Sequence, residues 1–163
     1  MKKKRMVIIH SIFTLTIMAF IFIQSALPGT VSGAESNVLV EFFAKLTGLD
    51  ADVLSVVIRK AAHFTEFAVL GLCLTLNVRD FYSAKGISLG RGHVWFMSWL
   101  LGTAYAATDE IHQYFVPDRA CQLLDVCIDS AGVAAGAMYY HRTSSYQKKE
   151  ELRKRICEFR KMI

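Results

Sequence analysis

Long apolar runs, each with a cluster of polar residues near one end, alternate with short charged breaks along the chain. From Met6 to Ala34 there is no charged residue apart from any proton on His10, and four cations precede the run. That is the pattern of a first membrane span with its basic end inside. Gln24 and Ser25 make the far end of this helix polar, and Pro28-Gly29 breaks it. A rival reading is a removable leader with small residues at Val31–Ala34 as its cleavage site. The apolar stretch Met6–Ile23 is long for a leader, and the later runs need a neighbour. From Thr30 to Asp52 an external linker carries an amphipathic helix, with Val38, Leu39, Phe42, Phe43 and Leu46 on one face. Ser36 or Asn37 can cap its start and Gly48 can end it. Such a helix either lies on the outer surface or covers a site.

The three later runs are each too short to span a bilayer without their polar ends. Val94–Thr108 is uncharged for 15 residues, roughly 22 Å of helix against a hydrocarbon core of about 30 Å. The uncharged stretch after Glu66 ends at Arg79, and Ser130–Tyr140 is shorter still. Spans at approximately 6–26, 54–77, 94–116 and 122–141 therefore draw their ionisable residues into the bilayer. The expected fold is all-α, an integral membrane bundle of four transmembrane helices with an external amphipathic segment. Asp52 reads as the N-cap of the second span, and Asn77–His93 as a basic loop carrying Arg79, Lys85 and Arg91. Ser98, Gly102 and Ala106 form a small-residue stripe on the third span, and Gly132 and Gly136 a GxxxG pair on the fourth. Residues 1–141 form the membrane domain and 142–163 a basic tail, in which Leu152, Ile156, Phe159 and Ile163 make an apolar stripe suited to an anionic leaflet.

Composition and charge agree with this. Hydrophobic residues make up 53% of the chain and charged residues 20%. The cations are concentrated at the two ends and the net charge is +5. Placed so, they suit anionic lipid on the cytoplasmic side; no basic, aromatic-interleaved pattern for nucleic acid occurs. A basic N-terminus inside, four spans, a basic loop at 77–93 and a basic tail give one consistent topology with both termini cytoplasmic. The four cysteines show no metal-ligand spacing, and Cys73 and Cys127 read as small core residues.

In that topology the polar ends of all spans share one layer in the outer half of the membrane. It holds Arg59, Lys60 and Arg119 against Glu66, Asp109, Glu110, Asp125 and Asp129, together with His63, His112 and Gln113. Arg59, His63 and Glu66 stack on one face; Tyr105, Asp109, His112 and Gln113 share another, with Glu110 turned about 100° away. An excess of carboxylates calls for a shared proton, a divalent metal or a cationic ligand. His63, Glu66, Asp109, His112, Asp125 and Asp129 could serve as metal ligands, and these six with Glu110 as acid/base catalysts. Arg59, Lys60, Gln113 and Arg119 suit substrate binding. The bland reading is a paired network that only fixes helix register. Transport is disfavoured because the polar residues do not continue to the inner side, and no nucleotide or serine-hydrolase motif is present.

The blocks RKAAHFTEFAVLG (59–71), DEIHQYFVPDR (109–119) and DVCIDSAG (125–132) resemble, in order and spacing, the VanZ-like family of bacterial membrane proteins over nearly the whole chain to about Tyr140. Arg59, Lys60, His63, Glu66, Asp109, Glu110, His112, Gln113, Arg119, Asp125, Asp129 and Gly132 stand at its motif positions. Asp118 follows Pro117 where the pattern leads one to expect Gly. The resemblance implies work at the bacterial cytoplasmic membrane, related to teicoplanin-type glycopeptide resistance or to lipid-linked envelope components. Expected partners are membrane lipids, a lipid-linked cell-wall precursor or a lipophilic glycopeptide. An intramembrane enzyme acting on such a lipid is the alternative.

Overall fold

The computed structural model describes residues 2–28, 39–117, 119 and 121–162, without the side chains of residues 2, 145–155 and 157–162. Four long helices, α1 (Lys2–Ser25), α3 (Ala51–Ala84), α4 (Arg91–Gln113) and α5 (Leu123–Met162), form a bundle. A short α2 over 39–47 lies beside it. No strand occurs among the described residues. Two helices, α1 over Lys3–Ser25 and α3, are long and apolar enough to cross a membrane.

The bundle is built on α3 and α5, which make the most extensive helix pairing; α1 packs on α3, and α4 on both. Glycines allow the central contact. A Cβ on Gly136 would lie 1.8 Å from the Ala68 carbonyl oxygen, one on Gly132 2.5 Å from that of Phe64, and one on Gly71 2.2 Å from that of Val133. Backbone therefore meets backbone, as small-residue helix pairs do in membranes. The expected GxxxG pair is thus a contact surface. On α4, Ser98, Gly102 and Ala106 are buried as a stripe, with Gly102 against the Val133 side chain. Ile21, Phe67, Leu70, Ala106 and Val133 close the centre.

Polar and apolar residues are partitioned inside out. Thr14, Ser25, Thr75, Asp80, Ser98, Asp109, Glu110, Gln113 and Asp129 are buried, while Ile8, Phe13, Leu15, Val57, Leu100, Leu101 and Leu124 are each more than half exposed. So large an apolar exterior marks a surface that water does not face. Helix α1 is tied in by His10 to Asp80 and by Ser25 to Asp109. Removal of α1 as a leader would strip both carboxylates of these partners. The proposed cleavage residues Val31–Ala34 lie outside the described residues, as do the caps Ser36 and Asn37 and the turn residue Asp118.

Several local expectations are corrected. The N-cap of α3 is Asp50, which accepts from the Asp52 amide at 2.7 Å; Gly48, at φ +71°, ends α2 and lets α3 start earlier. Helix α3 runs through Arg79 and Asp80 to Ala84, because these charges pair on the helix and nothing breaks it before Gly86, at φ +77°. The tail continues α5 unbroken to Met162; of its apolar stripe only the Ile156 side chain is described, and it is exposed. Cys127 is exposed, since its side of α5 faces away from the glycine contact. On α2, Leu39, Phe42, Phe43 and Leu46 are exposed and Val40 is buried. Most of its apolar face is therefore open. Polar residues also do continue to the opposite end of the bundle. His10 Nδ1 lies 2.8 Å from Asp80 Oδ2, Arg79 Nε donates to Asp80 at 2.6 Å, and Asn77 bonds Ser11 and Thr14.

Gly136→Ala should destabilise the bundle by about 1–3 kcal/mol or more through overpacking. Gly92→Ala, whose Cβ meets nothing within 4 Å, should stay within about 1 kcal/mol of the parent. Thermal unfolding of both variants in detergent checks the contrast.

Candidate functional site

The ends of α3, α4 and α5 on the α1 Ser25 side enclose a cavity of about 50 Å³ lined by Arg59, Lys60, His63, Glu110, Gln113, Arg119, Gln122, Asp125, Ile128 and Asp129. That volume takes a few waters or one small polar group. The parallel glycine contact sets it up, because pairing Phe64 with Gly132 brings the preceding turns of α3 and α5, with Lys60 and Asp125, side by side. Lys60 Nζ and Asp125 Oδ1 form an ion pair between side chains that are 26% and 31% exposed.

The other ties satisfy helix ends. Glu110 Oε1 accepts the Gln122 backbone N–H at 2.6 Å, so a carboxylate from α4 serves an unpaired amide just before α5. Arg119, in the connection, donates to the Leu27 carbonyl at 3.2 Å, the Gln24 carbonyl at 3.3 Å and Gln113 Oε1 at 3.3 Å. It thereby closes the C-terminal end of α1. Gln113 Nε2 donates to Asp109 Oδ2 at 3.0 Å, and Ser25 Oγ donates to the same oxygen at 2.7 Å. A chain of hydrogen bonds thus runs from Arg119 through Gln113 to the buried Asp109. Burial, and next the nearby Arg59 charge, lower the Arg119 pKa below its ordinary value. No carboxylate lies within ion-pair distance of Arg59 or Arg119 among the described residues.

The candidates therefore divide. Eight of them line one cavity: Arg59, Lys60, His63, Glu110, Gln113, Arg119, Asp125 and Asp129. Glu66, Asp109 and His112 do not. Asp109 turns to Ser25, His112 stacks on Phe22 with ring centroids 4.3 Å apart, and Glu66 is half-buried outside the cavity wall. The two faces read from the spacing on α4 are found: Tyr105, Asp109, His112 and Gln113 meet α1, and Glu110, turned away from them, faces the cavity. The proposed metal ligands do not converge: no three His, Cys, Asp or Glu side chains among the described residues could hold one ion. Gln122 and Ile128 escaped the sequence reading because one contributes a backbone amide and the other only bulk.

At this end of the bundle, among the described residues, His63 Nδ1, Asp109 Oδ1, His112 Nε2 and Asp129 Oδ1 are buried without a hydrogen-bond partner. His63 and Asp129 belong to the cavity wall. Buried groups of this kind usually meet water or a ligand. The arrangement can take an anion on the guanidinium side and a hydroxyl or amide at Asp129 and His63. The family model described as VanZ/LLP1 matches residues 11–144. No curated protein and no solved structure matches the chain.

Glu110→Ala should cost about 1–3 kcal/mol by orphaning the Gln122 amide, and Glu110→Gln, which keeps an acceptor, should recover most of it. Unfolding midpoints of the two variants against the parent provide the check.

Proposed function

The chain belongs to the VanZ/LLP1 family, and on that premise we propose that it is a four-span protein of the bacterial cytoplasmic membrane with both termini cytoplasmic. Its cavity, in the outer half of the bilayer, binds the phosphate-bearing head of a lipid-linked envelope component. The role is binding or accessory, and it links the protein to teicoplanin-type resistance by controlling access to that component. The observation that carries this reading is the pair Arg59 and Arg119 at a cavity whose carboxylates Glu110 and Asp125 are already engaged. Guanidinium is matched to phosphate in shape and charge. Asp129 and His63 can then receive a sugar hydroxyl. A cavity of about 50 Å³ admits a head-group fragment and leaves the lipid tail outside, which favours a lipid-linked phosphate over a bulky glycopeptide.

The free Nδ1 of His63 and Oδ1 of Asp129 support a second reading, an acid/base enzyme acting on the same lipid. Turnover of a bound lipid phosphate that is lost in both His63→Ala and Asp129→Asn would establish it.

Titration of a long-chain polyprenyl phosphate into the protein in nanodiscs should give saturable binding. Arg59→Ala should weaken it about tenfold and Arg59→Ala with Arg119→Ala further, at roughly 1.5–3 kcal/mol per charged hydrogen bond. Binding of the double variant at parental affinity would sink the phosphate reading. For topology, a membrane-impermeant maleimide added to intact cells should label the exposed Cys121, and the signal should vanish in Cys121→Ser. Labelling of Cys121 only after the cells are opened would invert the proposed orientation.

A further inference from the structure

A second cavity, of about 280 Å³, lies at the opposite end of the bundle, with Lys3, Arg79, Ser83, Ser88 and Val94 in its wall. A third, of about 380 Å³, is an apolar groove between α3 and α4 lined by Leu74, Val78, Phe81, Met97, Leu100 and Leu101. The two are lined by neighbouring residues of the same helices. Tyr82 of the groove precedes Ser83 of the polar cavity, and Val94 stands one turn before Met97. The groove is open sideways: Phe81, Met97, Leu100 and Leu101 are 43, 40, 52 and 53% exposed.

Charge at this corner is one-sided. Its acid, Asp80, is taken up by Arg79 and His10. Lys3 Nζ donates only to the Ser83 carbonyl, at 3.4 Å, and Lys85 Nζ lies 4.3 Å from the centroid of the Phe81 ring. Neither lysine has an acidic partner among the described residues. Lys85 thus holds a positive charge over the end of the apolar groove, and Lys3 and the Ser83 and Ser88 side chains stand beside it. An apolar slot ending in uncompensated cations complements one class of molecule, an anionic lipid.

We propose that this corner binds one anionic phospholipid of the inner leaflet, its phosphate held by Lys3 and Lys85 and an acyl chain laid along the α3–α4 groove. The leaflet assignment rests on the orientation given above, which Cys121 labelling tests separately; the binding itself does not. The site would join the ends of α1, α3 and α4 on the face remote from the outer cavity.

Native mass spectrometry of the full chain in neutral detergent tests it, with dioleoyl phosphatidylglycerol and dioleoyl phosphatidylcholine as probes. The parent should retain one phosphatidylglycerol roughly tenfold or more above phosphatidylcholine. Lys3→Ala with Lys85→Ala should abolish that preference. These side chains are exposed and carry no buried contact, so the unfolding midpoint should match the parent. Leu100→Trp, which fills the groove, should lower retention severalfold while leaving the lysines in place. Millimolar inorganic phosphate should not displace the lipid. Equal retention of the two lipids, or a double lysine variant that behaves as the parent, would overturn the proposal. Full displacement by inorganic phosphate would assign the site to free phosphate instead.

Discussion

The closest approach of α3 and α5, with Gly71, Gly132 and Gly136 against facing backbone, is the constraint on which the rest of the structure depends. In lipid the helices gain nothing from leaving an apolar solvent, so packing and hydrogen bonds must hold them together. Glycine lets the two axes come close enough for both. The contact also fixes register. Residue 64 meets 132 and residue 68 meets 136, so residue 60 comes opposite 128, within reach of Asp125. The Lys60–Asp125 ion pair is thus a consequence of where the glycines sit.

Helix ends impose the second constraint. Backbone groups near a membrane core need partners, since an unpaired one there costs several kcal/mol, on the order of a lost hydrogen bond or more. Arg119 supplies donors to the Gln24 and Leu27 carbonyls, and Glu110 an acceptor to the Gln122 amide. Both residues also line the cavity. The fold and the proposed binding site therefore share groups, and a substitution at either position reads out both. Arg59, exposed and without a structural tie, is the position at which recognition separates from stability.

The four apolar runs and the small-residue stripes were legible because helical periodicity and steric size are written locally. The clustering of polar residues at one end was legible too, since the three later runs each fell short of a bilayer at the same end. What pairs with what was not. The α3 boundary passed Asn77 because Asp80 is matched by His10, seventy residues earlier, and no local signal announces that partner. The separation of Asp109 from Glu110 was written in the helical spacing, but that α1 is what Asp109 meets depended on the assembled bundle. His10, Ser11 and Thr14 in the first span, with Asn77 and Asp80 at i and i+3 in the second, were the available hint of an inner network. Charge alone also misled about the cavity. Carboxylates outnumber cations in the layer, yet Asp125 and Glu110 are engaged while neither Arg59 nor Arg119 has a carboxylate at ion-pair distance among the described residues.

The His10–Asp80 network removes one argument against transport, because polar residues do stand at both ends of the bundle. The centre supplies another. Ile21, Phe67, Leu70, Ala106 and Val133, all with no exposed surface, form a continuous apolar layer between the two networks. The polar groups at its edge are committed locally: the Tyr105 hydroxyl donates to the Met18 carbonyl at 2.7 Å, and Ser130 joins Trp99 and Thr103. A proton relay needs an unbroken chain of donors and acceptors, and an ion needs a hydrated path; this layer offers neither. The cavity beside Arg119 is therefore separated by this layer from the polar groups at the other end. That geometry suits holding a head group far better than passing a solute through.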